Sequence, residues 1–187
     1  MNQKSLSRQG ATALTTPPPI GAPWPGLPGY RYAGVMRGAA GQPDYHLAVL
    51  TGPAAAKLKG TWGEYGANVK GADHRRDGLV NTAAMAAAGS VLAQKVQAAD
   101  AYIASQAEAQ LVSANLHEDM PKGWHWTSTQ YSPYYAWVQG FGNGNSGIDY
   151  KTNEFRAVAV RRFVLQSFGP SKAPAGADVG TAAEVAA

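Results

Sequence analysis

The residue types able to do acid–base or metal chemistry are few in this chain, and their spacing is poor for it. The four histidines are His46, His74, His117 and His125. None falls in the H-x3-H or H-E-x-x-H spacing that sets two imidazoles on one helix face around a zinc ion. His117-Glu118-Asp119 has suitable ligand types, but three consecutive residues at a helix end point in different directions, so a solvated helix end is expected. His125 alternates with Trp124 and Trp126, which puts it on the opposite sheet face from both. A packed or surface role is expected for it rather than that of a base. Ser128 and Ser132 have no His/Asp relay in the pattern, so a nucleophilic hydrolase is not expected. Gly140-x-Gly142-x-Gly144 is followed by a turn and a strand-like segment rather than a helix, so it makes no phosphate cradle. With no cysteine, disulfides and thiolate metal sites are excluded. No catalytic residue, metal or cofactor is expected, and the chain is not expected to be an enzyme.

What remains is a surface for binding. Tyr131, Tyr134, Tyr135, Asn143, Asn145, Ser146, Asp149, Tyr150, Thr152 and Asn153 crowd into one short window. Tyr brings large contact area at low entropy cost, while Asn, Ser and Gly supply adaptable hydrogen bonding. The plainer reading is that Gly, Asn and Ser only make turns and that the aromatic residues fill the core. Trp126 and Trp137 are expected in the core, and Asn145 to Asn153 in an exposed loop.

Several elements must position this window. Trp124 to Gln130 is rich in aromatic and hydroxyl residues that fit a pleated, half-buried surface. Tyr131-Ser132-Pro133-Tyr134 is a turn, since Pro fixes φ and removes a donor. Tyr135 to Phe141 is a second strand, and Asn143-Gly144 a hairpin signal. Phe155 to Phe163 reads as one last strand. Its middle, Ala157-Val158-Ala159-Val160, is apolar at both parities and is expected to be covered on both faces. Upstream, Tyr32 to Met36 and Asp44 to Leu50 are strands joined by a Gly-rich loop, and Gly60 to Gly66 is loop-like. Asn81 or Thr82 caps a helix through Ala88, stopped by Gly89. Ser90 caps a second helix, Val91 to Ala98. Ser105-Gln106-Ala107-Glu108 is a capping box for a third, Gln106 to about Asn115, with Ala107, Leu111 and Ala114 or Asn115 on its apolar face. Helices followed by strands suit an α+β domain.

The same stretches carry a resemblance. Trp124, Trp126, Thr127, Ser128 and Thr129, then Ala136, Trp137, Phe141 and Gly144, then Lys151, then Arg156, Ala157, Ala159, Val160, Arg161 and Arg162 form a pattern that resembles the DUF1566 (Lcl C-terminal-like) family. Pro43 to Leu47, Asp77 to Thr82 and Tyr102 to Ser105 also fit, most closely the phage-encoded members. The likeness runs from about Tyr32 to Phe163. It departs at Ala104-Ser105-Gln106, where the family often has Pro-Ser-Arg. The resemblance implies a C-type-lectin-like fold, with helices packed on a small twisted antiparallel sheet and the chain ends brought together by the first and last strands. Gln42-Pro43-Asp44 is similar to the calcium-dependent sugar motif of true C-type lectins. It lies too early in the chain and lacks a later Trp-Asn-Asp partner, so calcium-mediated sugar binding is not expected. Formylglycine-generating enzymes share a lectin-like fold but need active-site cysteines, which are absent here.

The chain has 187 residues and a formal charge of +4, which suits one domain with tails and gives no nucleic-acid footprint. No apolar run approaches the roughly 18 residues that span a bilayer, so no membrane insertion is expected. Lys4 and Arg8 are followed by a Pro run rather than an apolar block, so no secretory leader is expected. Residues 1–29 are expected to form a Pro-rich arm, residues 30–163 the lectin-like domain, and residues 164–187 an Ala/Gly/Pro-rich second arm. Pro17-Pro18-Pro19 favours extended polyproline II. With Ile20, Trp24 and Leu27 it forms a candidate anchor that docks on a neighbouring subunit, against the plainer reading of a linker. The reading is a non-enzymatic bacteriophage virion protein, assembled in the host cytoplasm. Its role is receptor binding or a fibre at the tail, or decoration or a fibre at the head. Expected partners are other capsid or tail proteins through the arm, further copies of the chain as a homo-oligomer, and a host surface protein or glycan. The alternatives are a bacterial surface adhesin and a retroelement-diversified ligand-binding protein.

Overall fold

The computed structural model describes residues 17–39 and 41–165. Residues 1–16 and 166–187, which hold the outer part of the N-terminal arm and nearly all of the C-terminal arm, lie outside the described residues.

The fold is α+β. Strands β1 (Tyr30–Met36) and β2 (Tyr45–Leu50) form a hairpin, followed by the short helix α1 (Gly52–Ala56) and strand β3 (Lys59–Thr61). Helices α2 (Gly78–Ala87) and α3 (Val91–Ala98), strand β4 (Tyr102–Ile103) and helix α4 (Gln106–Leu116) come next. The described residues close with β5 (Gly123–Gln130), β6 (Tyr135–Phe141), β7 (Ser146–Tyr150), β8 (Glu154–Ala157) and β9 (Ala159–Val164). Among the described residues the strands form two sheets rather than one, in the orders β1-β2-β9-β4 and β3-β8-β5-β6-β7. Every pairing is antiparallel except β5 with β8.

Phe155 to Phe163 was expected to be one strand, but it serves both sheets. The turnover is at Val158, which donates its N–H to the Trp126 carbonyl in one sheet (3.1 Å) and accepts from the Ala104 N–H beside the other (2.8 Å). The run Ala157 to Val160 is buried throughout, because it lies where two sheets and the helices meet. Its lack of periodicity marks this junction.

The N-terminal boundary also moves. Backbone bonds tie Gly21 to the Tyr32 carbonyl and Trp24 to the Tyr30 carbonyl, both at 2.8 Å. Trp24 is 5% exposed. Its ring stacks on Phe163 at 4.4 Å and meets Tyr32 edge-on at 5.5 Å. Leu27 packs against the same cluster. Residues from about 20 onward are therefore part of the domain, and Trp24 and Leu27 are not anchors for a neighbour. An indole this size is most stable in the nearest apolar slot, and β1 offers one beside it. Pro17, Pro19 and Ile20 stay exposed, and Pro18 is half-buried.

The helices follow their caps with two changes. Asp77, not Asn81 or Thr82, caps α2, accepting from the Val80 N–H. Asn81 and Thr82 are buried instead. Asn81 brackets His74 through both its amide atoms, and Thr82 accepts the Ile103 N–H at 2.9 Å, which ties α2 to β4. Ser90 caps α3, and the α4 capping box is complete. However, α4 buries Glu108, Ala109, Val112 and Leu116, while Ala107 and Leu111 are only half-buried.

Glu108 explains that rotation. Its Oε1 accepts from the hydroxyls of Tyr45 (2.7 Å) and Tyr102 (2.6 Å), and its Oε2 from the N–H groups of Ser105 (2.7 Å) and Gly78 (3.1 Å). Four donors satisfy a carboxylate that would otherwise be costly to bury. Gly78 must be glycine, since a Cβ there would lie 2.5 Å from Glu108 Oε2, the Ile103 carbonyl and Ser105 N.

Candidate binding face

Strand β6 divides its side chains by parity. Ala136 and Val138 face the core with Trp126, while Tyr135 and Trp137 face outward and are half-buried. Across the antiparallel pairing, Tyr135 sits opposite Tyr150 and Trp137 opposite Ile148. Further along the same face, α4 packs over Gln139, whose amide donates to Ser113 Oγ at 3.1 Å. The helix ends its cover there, and the aromatic half of the face stays open.

A tyrosine cluster fills that open half. Tyr135 lies 4.6 Å from Tyr150, Tyr65 4.9 Å from Tyr134, and Tyr65 6.1 Å from Tyr150, between ring centroids. The phenol of the adjoining Tyr150 holds the Tyr135 phenol above its ordinary pKa. Tyr131 meets Trp137 edge-on at 5.6 Å, and the Arg75 guanidinium lies 5.6 Å from the same indole. Tyr65, Tyr131, Tyr134 and Tyr150 are all exposed, as is Ile148. Trp137 is thus a half-buried floor of the face, not the core residue expected.

Beneath this face lies a buried cation. Lys151 is fully buried at the end of β7. Its Nζ donates to the Ala67 carbonyl (2.7 Å) and to Gln130 Oε1 (2.6 Å), and lies 4.6 Å from the Trp62 ring centroid. Burial lowers its pKa to about 8. These bonds pin the loop carrying Tyr65 to the strands carrying the other tyrosines. The Trp62 indole N–H of the same loop donates to the Thr127 carbonyl at 2.9 Å.

The predicted site residues separate into three groups. Tyr131, Tyr134, Tyr135 and Tyr150 come together. Asn143, Asn145 and Ser146 sit at the opposite end of the β6–β7 hairpin. There Asn143 Oδ1 accepts the Asn145 N–H (3.1 Å), and Ser146 donates to Gln139 Oε1 (2.7 Å). Asp149 and Asn153 close the turn after β7. Asp149 Oδ1 accepts from its neighbour Tyr150 N–H (2.7 Å) and from Asn153 Nδ2 (2.6 Å). That carboxylate covers an outward N–H of an edge strand, a common guard against unwanted pairing. Thr152 is exposed in the same turn. Tyr65, Arg75 and Ile148 were missed. A tyrosine set between Glu64 and Gly66 in a polar loop was the available signal for the first.

The other chemical candidates resolve as structure. His125 is buried, edge-on to Phe141 at 4.9 Å, with Nδ1 3.2 Å from the Gly123 carbonyl. Burial, aided by the nearby Arg156 charge, pushes its pKa down to about 4. Ser128 is buried beside Asn81. His117, Glu118 and Asp119 are exposed on a single 3-10 turn. Among the described residues no group of three His, Asp or Glu side chains could hold a metal ion. Nor is any helix among them long and apolar enough to cross a membrane. Set against protein-family models, curated proteins and solved structures, the chain matches none of them. The class defined so far is an α+β domain whose most developed surface feature is an open aromatic face.

Proposed function

We propose that this chain is a non-enzymatic binding protein of a bacteriophage virion, and that it engages its partner through the tyrosine face at the base of the β6–β7 hairpin. The observation that carries the reading is the joint exposure of Tyr65 (60%), Tyr131 (56%), Tyr134 (46%) and Tyr150 (44%) on one contiguous surface. Aromatic side chains held rigidly at a surface are the residues that dominate interface energetics. The buried Lys151 and Trp62 beneath them restrain the loop and strands, so little ordering entropy is lost on binding.

We place the fold among C-type-lectin-like domains of the DUF1566 kind. In support, β1 and β9 both flank β2, so the first and last strands share a sheet. The residues of the upstream motifs also converge, since Tyr45, Gly78, Tyr102 and Ser105 all donate to Glu108. The virion assignment rests on the resemblance to phage-encoded members. The role is receptor binding at the tail or decoration at the head, with further copies or other virion proteins as assembly partners. Gold-tagged antibody against residues 36–163 distinguishes these on purified particles. Label at the tail makes the tyrosine face the receptor-binding surface, and a Tyr134→Ala/Tyr150→Ala double variant should then lower host adsorption at least tenfold. Label over the head assigns decoration. Absence of label with an accessible epitope would overturn the virion reading in favour of a bacterial surface adhesin.

A further inference from the structure

The opposite end of the same hairpin is built differently. Trp124 starts β5 and is 37% exposed. The six-membered part of its indole rests on two glycines. A Cβ on Gly140 would lie 3.1 Å from its Cζ3, and one on Gly147 3.7 Å from its Cη2. The Gly140 Cβ would also lie 2.6 Å from Asn143 Oδ1. A side chain at Gly140 would press on the ring, while a Cβ at Gly147 would only touch it, so it is Gly140 above all that lets the indole lie against the hairpin with one face covered. Beside it is a depression of about 200 Å³ lined by Gly123, Trp124, Gly140, Phe141, Gly142 and Asn143.

We propose that this depression is a calcium-independent saccharide site, with Trp124 as the stacking platform for one pyranose ring. The indole π-face carries partial negative charge. The C–H groups on one face of a pyranose are its complement, and the equatorial hydroxyls need neutral donors and acceptors at the rim. Three of the lining residues are glycines, so the rim is largely peptide; the Gly140 N–H is held by the Asn145 carbonyl, while the Gly140 carbonyl, with the Gln139 amide as its partner, keeps a second lone pair for a hydroxyl donor. Asn143 adds an exposed amide whose Nδ2 makes no hydrogen bond among the described residues. No acidic side chain lines the depression, so a cationic ligand finds no counter-charge there; the nearest charge is Lys122, whose stem lies against Gly142 at the margin. Phe141 is fully buried against His125, so a flat aromatic ligand finds no second exposed ring to complete a sandwich. The site is separate from the tyrosine face and does not depend on it.

Saturation-transfer NMR on the full chain tests this with methyl glycosides of glucose, galactose, mannose and N-acetylglucosamine, in EDTA. At least one should bind in the weak, millimolar range expected of a single ring. Saturation should be strongest on ring C–H protons of one face. In the amide spectrum of the unmodified protein, shifts should concentrate on the Trp124 indole N–H and on Gly140, Gly142 and Asn143. Trp124→Ala should weaken binding at least tenfold with the melting temperature kept, while Tyr134→Ala should leave it unchanged. Saturation of none of the four sugars would overturn the proposal, as would loss of binding in EDTA or retention in Trp124→Ala. Shifts confined to the tyrosine face would also overturn it, while leaving the reading of that face intact.

Discussion

Lys151 gives the sharpest test of the packing beneath the tyrosine face. Its ammonium is fully buried, with two oxygen acceptors and the Trp62 ring as its company. Burial lowers its pKa from 10.5 to about 8. The folded state therefore binds fewer protons than the unfolded state between those two values, and stability must rise with pH across that window. From pH 7 to pH 9 the gain is roughly 1.4 kcal/mol, a factor of ten in the folding constant. The window must stop there, because tyrosines freed by unfolding begin to ionise near pH 10. The burial-raised phenols of Tyr30, Tyr32, Tyr45 and Tyr102 then pull the other way. The assay is urea unfolding at each pH, followed by tryptophan fluorescence, on wild type and on Lys151→Met. Methionine keeps the volume of the stem without the proton, so its baseline stability is immaterial and only the slope is read. Wild type should gain across the window and the variant should not. A wild-type stability that is flat or falling from pH 7 to 9, or a parallel rise in the variant, would refute the reasoning.

Three further outcomes are expected. Glu108→Gln should cost several kcal/mol in chemical unfolding, because the amide NH₂ faces donors and leaves buried hydrogen-bonding groups unsatisfied at about 1–3 kcal/mol each; a change below about 1 kcal/mol would remove Glu108 as the keystone of α2, β4 and α4. His125, with its pKa pushed down to about 4, stays neutral in the fold while the unfolded chain takes up a proton, so stability should drop by roughly 2 kcal/mol from pH 7 to pH 5. His125→Phe should show a correspondingly smaller acid dependence. Trp24→Ala should cost about 3–5 kcal/mol, and deletion of residues 1–29 should lower the melting temperature clearly; an unchanged melt would return this segment to the status of a detachable arm.

Much of the fold was legible wherever a local rule operates. The Ser90 cap and the Ser105–Glu108 capping box fix α3 and α4 through hydrogen bonds made within a few residues of sequence. Tyr135 to Phe141 alternates cleanly because one face meets the core and the other does not. The failures have a common cause in long-range contacts. Glu108 reads as a capping residue, yet partners from β2, α2 and β4 draw it inside and turn α4 about its axis. Trp24 lies in a Pro-rich segment that looks detached, because its stacking partner, Phe163, is at the other end of the domain. Phe155 to Phe163 reads as one strand, since the switch between sheets at Val158 leaves no turn residue behind. Lys151 is the hardest case. Nothing near it in the sequence announces burial, and its acceptors come from Ala67 and Gln130 on other segments.

The window singled out for binding illustrates why composition alone overstates a site. Asn, Ser and Asp qualify as adaptable hydrogen-bonding residues, but most of those here satisfy the hairpin itself. The Ser146 hydroxyl donates to Gln139, the Asn143 side-chain oxygen accepts the Asn145 N–H, and Asp149 holds the turn through Tyr150 and Asn153. An amide or carboxylate already paired must break that bond before it can serve a ligand, and the exchange returns little net energy. The tyrosines carry no such debt, since their ring faces are open and their positions are fixed from below. Substituting Tyr134 should therefore weaken partner binding while leaving the fold intact. Substituting Asp149 should do the reverse, exposing the β7 edge and promoting self-association. The two phenotypes should separate in one adsorption assay and one light-scattering assay, and coincidence of the two would mean that the turn and the face act as a single surface.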